Sequence, residues 1–296
     1  MDLSTYRFDL NASLHAWIEF LRVTLTEPRG LFWWPTLAVA VLGAAFVLRP
    51  GGTRPSVAPF LRELPVDVLC FLGYTLTIVL MSPVLFWAIV GGTTLVFLAA
   101  GVPAASATPH GFWQLALVAF LAFVFSDFFL YWSHRLFHWL KPLWLLHSLH
   151  HRPPVLTPLT AFRFWPPEAA VHFLAFNFGE GLAYGIGCEF FGANMTPMRY
   201  LGLKIFLVAW YLAFSQLRHS HIPLYFPRWL SYLLVSPQMH QAHHSVDPAH
   251  HQRNFGTALA VWDGMFGTLH IPAKSDRFRF GIDVDQTRRP ADNVKS

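Results

Sequence analysis

Charge is what this sequence has least of. Only 12% of its 296 residues are charged, about half the share of about 25% usual in soluble domains. An ordinary soluble core accounts for high hydrophobicity but not for so little charge. A lipid-facing surface requires it, because charges are costly in hydrocarbon. Cysteine is nearly absent as well. Cys70 and Cys188 both sit in apolar context, which excludes a disulfide framework and a cysteine-based metal or iron–sulfur site. Lysine is scarce, four against 17 arginines. Those arginines fall between apolar runs, so the net charge of +5 reads as positive-inside topology rather than nucleic-acid binding. The N-terminal stretch MDLSTYRFDLNASLH is too polar for a cleaved signal peptide, leaving the first span to act as insertion signal. There is no repeat and no low-complexity tract.

What is present is apolar: 54% hydrophobic residues, 17% aromatic. Leu31–Leu48 is the first run, followed by a loop with Arg49, Arg54 and Arg62 on the positive side. Val66–Ala100 is apolar but interrupted by Pro83 and Gly91–Gly92. It reads either as one long span plus a re-entrant piece or as two short spans. The loop 101–111 has no Lys or Arg and belongs on the far side. Phe112–Trp132 is a clean span with one acid, Asp127; Glu168–Gly187 and Tyr200–Leu217 are two more. The pattern predicts spans and loops over 1–111, a unit of spans and histidine-rich segments over 112–272, and a polar tail over 273–296.

Eight of the 16 histidines fall into three tight patterns: His134-x3-His138, His147-x2-His150-His151 and His240-x2-His243-His244. Positions i, i+3 and i+4 share a helix face, so each pattern predicts a single row of imidazoles. Pro142 ends one helix and suits the first turn of the next, Pro153–Pro154 stop that one, and Ser236-Pro237 opens a third. Two spans separate the first clusters from the last, so all come to one side, the basic cytoplasmic one. Imidazole suits iron, zinc, copper and nickel. A zinc site takes three or four ligands, so eight histidines fit two metals better than one. Bridging oxygen ligands and nearby carboxylates should balance the charge.

Taken together, the HRxxH, HSLHH and HQAHH motifs, the last followed by NFGTALAVWDGMFGT, resemble the fatty acid hydroxylase / sterol desaturase superfamily. Those are integral-membrane, histidine-rich, non-haem di-iron oxygenases. The resemblance covers Asp127 to about Thr268, roughly half the chain; residues 1–110 match only as generic spans. It implies that the eight histidines are metal ligands, with a ninth, His219, from QLRHSHIP. His221 stands where the family often has Asn or Glu, so it competes with His219 for that role. Trp165 stands where the family often has His, and no ligand is expected there.

Several other groups carry expectations. Asp127, seven residues before His134 on the same face, is expected to accept the other N–H of a ligating histidine; the alternative is a helix-packing acid. Glu168 and His172 either line the site or form a helix-surface pair. His250 and His251 belong to a rim or to a solvated loop. Asp263 is either a support for the ligands or a turn-holding group. His15, His110 and His270 read as surface residues.

The fold expected is an all-α integral membrane protein with roughly four to six transmembrane helices and a cytoplasmic histidine-rich helical cap. The resemblance implies O2-dependent oxidation of a lipid C–H bond, hydroxylation first and desaturation second. It implies two iron ions, zinc as a substitute ion, and a lipid entering from the bilayer. The chain has no HPGG signature, iron–sulfur motif or dinucleotide fingerprint. Electrons are therefore expected from an external ferredoxin or cytochrome b5-type donor. The arginine bias suggests a bacterial inner membrane. A metal transporter, a b-type cytochrome and a zinc-dependent hydrolase are the rival readings. The transporter would need polar ligands at mid-membrane, and the cytochrome would use single facing histidines rather than rows.

Overall fold

In the computed structural model, residues 57–100, 112–191, 217–220 and 223–282 are described, together with positions 15, 18, 19 and 22. The expectations for the runs 31–48 and 200–216, the loop 101–111, His110, His221 and the tail from 283 lie outside the described residues.

The described residues form helices and turns without strands. The helices are α1 (Val57–Ala100), α2 (Phe112–Trp139), α3 (Lys141–His151), α4 (Pro166–Phe191), α5 (Arg228–Ser231), α6 (Pro237–His243) and α7 (Val261–Met265). Two short 3-10 turns sit at Pro158–Phe162 and Pro248–His250. Segments of α1 (Leu61–Met81) and α2 (Trp113–Trp139) are long and apolar enough to cross a membrane. Their outer faces expose large apolar side chains, among them Leu69 and Trp113, as a lipid-facing surface would. α4 is 26 residues long but buries Glu168, Asn177 and Glu180 along its length.

The sequence left α1 between two arrangements, and the structure takes neither. One 44-residue helix runs through Pro83 and Gly91–Gly92. Gly92 faces a neighbour instead of breaking the helix: a Cβ there would lie 2.6 Å from the Phe178 carbonyl oxygen of α4. α1 runs parallel to α4, with Tyr74 against Phe173 at 5.1 Å and Val96 against Gly185. α2 runs antiparallel to it. Ser126 Oγ donates to the Phe176 carbonyl at 2.9 Å, and Gly187 backs onto Val118. Glycines on α4 let three backbones approach closely, which is how helices gain packing energy where lipid offers no hydrophobic drive.

A buried brace joins α1 to the chain after α3. Arg163 pairs with Asp67, and donates to Glu63 Oε2 at 2.8 Å. Thr157 Oγ donates to the second Asp67 oxygen at 2.8 Å. A buried guanidinium needs such partners, since an unpaired buried charge costs several kcal/mol.

The C-terminal region is fastened along α2 in sequence. Asp127 holds Ala258, Leu259 and Trp262. One turn on, Tyr131 meets Thr268 at 3.0 Å. His134 then meets Phe255, and Gln252 reaches the His138 carbonyl at 3.4 Å. The described C-terminal region is thus a set of loops and short helices latched onto the last three turns of one long helix.

Candidate metal centre

The histidines come from the end of one long helix, two short helices and a turn. α2 supplies His134 and His138 one turn apart. At Leu140 the backbone turns extended, and Pro142 opens α3 with no side-chain cap. Ser236 caps α6 by accepting the Met239 N–H, with Pro237 in the first turn. His219 lies in the turn at 217–220. All nine side chains are buried.

They converge into two groups. His134, His138, His147, His151 and His243 form the first; His150, His219, His240 and His244 form the second. Within each group one ligand atom per residue lies within 4.8 Å of all the others. Here the structure corrects the single-row expectation. In each HxxHH pattern the i and i+4 residues (147 and 151, 240 and 244) go to one group and the middle residue (150, 243) to the other. Successive residues turn by about 100° around a helix, so the two groups draw on opposite flanks of one row.

The donor geometry fits bound cations. In the second group the Nε2 atoms of His219, His240 and His244 are mutually 3.0–3.2 Å apart, and His150 Nε2 is 3.1 Å from that of His219. In the first, His147 and His151 Nε2 are 3.1 Å apart. Two ligands each about 2.1 Å from one ion lie about 3.0 Å apart at a right angle and about 3.4 Å apart at a tetrahedral angle. The Nε2 atoms of His134, His138 and His243 are buried without a hydrogen-bond partner among the described residues. A metal ion would satisfy all of them; left alone, buried polar atoms are costly.

Tautomers are set from behind. His134 Nδ1–H donates to the Phe255 carbonyl at 2.9 Å and His243 Nδ1–H to the Arg253 carbonyl at 2.7 Å. His147 Nδ1–H donates to Glu168 Oε1 at 2.5 Å. With the proton on Nδ1, each Nε2 lone pair points into the first group. Burial, reinforced by neighbouring imidazoles, holds His150, His151 and His244 well below their ordinary pKa. Burial and the Arg218 guanidinium do the same for His240. Burial takes His243 down to about 3. These rings are neutral at pH 7, the state a metal ligand needs.

In its described contacts Asp127 plays the alternative part, a helix-packing acid. Its carboxylate accepts the Ala258 and Leu259 N–H groups at 2.8 and 2.9 Å and the Trp262 indole at 3.0 Å, while His134 turns to Phe255. The acid lies two turns below His134 and latches the chain at 258–262 onto α2. A carboxylate that reaches a site imidazole is that of Glu168, fully buried, which the sequence left between two roles. It sits in the first turn of α4, with His172 Nε2 3.7 Å away. His172 Nδ1 in turn meets Ser133 Oγ at 2.8 Å.

Asp263 holds the NFG turn. Its oxygens accept the Phe255 and Gly256 N–H groups at 2.8 and 2.9 Å and the Thr268 hydroxyl at 2.6 Å. Burial pushes its carboxyl up to about 6 against those hydrogen bonds. By fixing the Phe255 peptide it also aims the carbonyl that His134 uses. Asn254 adopts φ 56, a left-handed conformation Asn tolerates, and its side chain bonds the Met239 and His270 backbones. Gly256 leaves no room for a Cβ, which would sit 2.7 Å from Asp263 Oδ2. The NFG…WDxxFGT stretch is therefore one device that orients site imidazoles.

His250, His251 and His270 stand outside both groups; the His250 ring lies tilted against His270 at 5.0 Å. His15 and Trp165 are exposed. The backbone acceptors of Arg253 and Phe255 were not foreseen, and no side-chain pattern could have announced them.

Two buried histidine groups that could each hold a metal ion, at the end of a helix long and apolar enough to cross a membrane, mark the class of protein to which this chain is similar. The comparisons sharpen it. The family model for fatty acid hydroxylase matches residues 119–268, half of the chain, and this protein belongs to that family. It is 28% identical over 174 residues to the ornithine lipid hydroxylase OlsE of Rhizobium tropici, covering 57% of this chain and 47% of that one. It is 28% identical over 170 residues to alkylglycerol monooxygenase of Danio rerio (57% and 34%). It is also 28% identical over 153 residues to Delta(7)-sterol 5(6)-desaturase ERG3A of Gibberella zeae (51% and 37%). The matched stretch thus spans less than half the length of these relatives. No solved structure matches.

Proposed function

We propose that this protein is a membrane-bound, O2-dependent lipid hydroxylase that holds two iron ions in its paired histidine groups. The observation that carries the reading is the convergence of nine buried histidines into groups of five and four within a fatty acid hydroxylase chain. The first ion would be held by His134, His138, His147, His151 and His243, and the second by His150, His219, His240 and His244. Iron held there would offer the open coordination positions that O2 activation needs and relay the electrons it consumes.

The chain's own residues do the rest. Phe255 and Arg253 carbonyls and the Glu168 carboxylate hold three imidazoles in the donor tautomer. Phe164, stacked 4.8 Å from the His150 ring, and Phe255 and Trp144 against His138 wall the centre with apolar surface and exclude water. Glu168 places a negative charge behind His147, offsetting part of the cationic load of an all-imidazole donor set. The substrate is an apolar lipid entering from the bilayer, the ligand layer lying on the cytoplasmic side of roughly four to six spans in a bacterial inner membrane. Hydroxylation turns C–H and O2 into C–OH and water, consuming two electrons and two protons. Those electrons come from an external one-electron carrier of ferredoxin or cytochrome b5 type. Desaturation is the second reading, favoured by the sterol desaturase relative.

The test uses iron-loaded protein in lipid nanodiscs, a chemical reductant and 18O2. The expected result is lipid carrying one 18O atom. Lipid hydrolysis products without 18O would make a zinc-type hydrolase the better reading, and iron flux across proteoliposomes without O2 uptake would make it a transporter.

A further inference from the structure

The chain between the turn at 217–220 and α6 exposes large apolar side chains. Leu224, Tyr225, Trp229, Tyr232 and Leu233 stand outward, with Trp229 67% exposed. Ser231 and Val235 turn inward, and Val235 joins Met239 and Ala260 in a buried cluster. On α7, Met265 is 65% exposed. No Asp or Glu stands between Pro223 and Val246. Two exposed cations border the aromatic rings: Arg228 precedes Trp229, and Lys274 Nζ lies 4.6 Å from the Tyr225 ring centroid. Exposed apolar surface of this extent marks a contact beyond the chain's own core.

Depth along α2 says what the surface faces. The apolar segment Trp113–Trp139 is about 40 Å long, against about 30 Å for the hydrocarbon core of a bilayer. Asp127 lies about 21 Å from its first residue and about 18 Å from its last. In a helix that crosses, Asp127 stays below the membrane surface whichever end protrudes. The exposed stretch is tied to that level. Asp127 holds Ala258, Leu259 and Trp262. The Val235 and Ala260 N–H groups donate to the Ala258 and Leu233 carbonyls at 2.9 and 3.0 Å, and Leu234 bridges Leu259. Met265 lies one turn beyond Trp262, and its neighbour Phe266 packs on Trp132 at 4.8 Å. The exposed side chains are thus one backbone layer from a residue at membrane depth.

We infer that this surface is an in-plane membrane anchor, seated in the interfacial layer where lipid headgroups meet the acyl chains. The inference rests on the membrane-bound part of the reading above. Trp and Tyr suit that layer, because each joins an apolar ring to a polar edge. The stems of Arg228 and Lys274 can lie along apolar surface while their charges reach lipid phosphates. A soluble partner would not reach side chains at this depth. The anchor also bears on the histidines. The Leu224 carbonyl accepts the Gln238 N–H of α6 at 2.9 Å, so the exposed stretch is bonded to the helix that carries His240 and His243. The layer that seats Trp229 and Tyr232 thereby sets the height of those imidazoles relative to the acyl chains.

The experiment uses full-length, iron-loaded protein in phosphatidylcholine nanodiscs. In a Cys70→Ala/Cys188→Ala background, Trp229→Cys, Met265→Cys and, on the exposed apolar face of α1, Leu69→Cys each receive a nitrobenzoxadiazole label. Two quenchers are compared: a phosphatidylcholine with a nitroxide near the top of its acyl chain, and aqueous iodide. The labels at 229 and 265 are expected to be quenched by the nitroxide lipid. Their iodide quenching should fall about threefold or more below that of the same label on glutathione, as for a group about 5–10 Å deep in the headgroup region. Should Trp229→Cys prevent folding, Tyr232→Cys serves, with the same expected result. Iodide quenching at both positions equal to that on glutathione would overturn the inference, since the surface would then stand in water. Weak quenching by both agents would also overturn it, the surface then being covered by another part of the chain or by a second copy. A label at 69 as open to iodide as that on glutathione would instead bring down the membrane-bound reading, and the anchor with it.

Discussion

Replacing Glu168 by glutamine should loosen one metal ion and spare the other. The carboxylate is fully buried and accepts the His147 Nδ1–H at 2.5 Å. Glutamine keeps the shape and one acceptor oxygen but removes the charge. A hydrogen bond to a charged group contributes about 1.5–3 kcal/mol and a neutral one about 0.5–1.5. The difference, about 1–2 kcal/mol, corresponds to a drop in affinity of about five- to thirtyfold. Burial this complete leaves no solvent screening to discount. The drop should fall on the group that contains His147. Titrating iron-loaded protein with a chromophoric chelator should show two release steps, and in Glu168→Gln the step for the first group should move to lower chelator while the other stays. Glu168→Asp should recover part of the shift. Native release of both ions from the glutamine variant would refute the charge-balancing role, and equal weakening of both would reduce Glu168 to a packing residue.

Other outcomes follow from the same contacts. Alanine at His147 or His243 should abolish turnover and remove at least one metal per chain, read by metal analysis; normal activity in either would sink the ligand assignment. Asp127→Ala would strand two backbone N–H groups at about 1–3 kcal/mol each, so thermal unfolding should fall by several degrees while His134 keeps its partner; an unchanged transition would remove the latch. Gly181→Ala would drive a methyl into the Ile89 backbone and should destabilise the α1–α4 pair by about 1–3 kcal/mol; unfolding at the native denaturant midpoint would argue against that close approach. In metal-free protein, unfolded histidines take up protons near 6.5 while folded His243 resists until about 3. The unfolded state then binds more protons between those values, so stability is full above about 6.5 and falls with pH below it. A flat denaturation midpoint between pH 7.5 and 5 in chelator would contradict this.

That eight of the nine histidines come together was legible because the i, i+3 and i+4 spacing of a shared helix face survives in one dimension; His219 was marked only by the family resemblance. The division into two groups was not legible. Nothing in His147-x2-His150-His151 says that the middle ring turns to a second group, because that depends on His219 and α6 arriving from the other side. Asp127 was read by its helical phase to His134, and phase alone could not reveal that the chain at 258–262 takes the carboxylate first. Glu168 is the converse: 21 residues from His147, its role appears only when α4 returns against α3. Pro83 and Gly91–Gly92 looked like breaks because a helix interior in water is disrupted by them, whereas packed helices use glycine to approach. The supports at Arg253 and Phe255 are backbone carbonyls, which every residue owns and no sequence pattern marks.

Iron content after anaerobic reconstitution tests the central claim most directly. Protein purified in detergent is stripped with chelator, loaded with ferrous iron without air, desalted, and assayed for iron and protein together. The account predicts about two irons per chain, since an ion with about four to six ligands is satisfied by each group. One iron or none in a folded chain would mean that the two histidine groups do not act as a pair of metal sites.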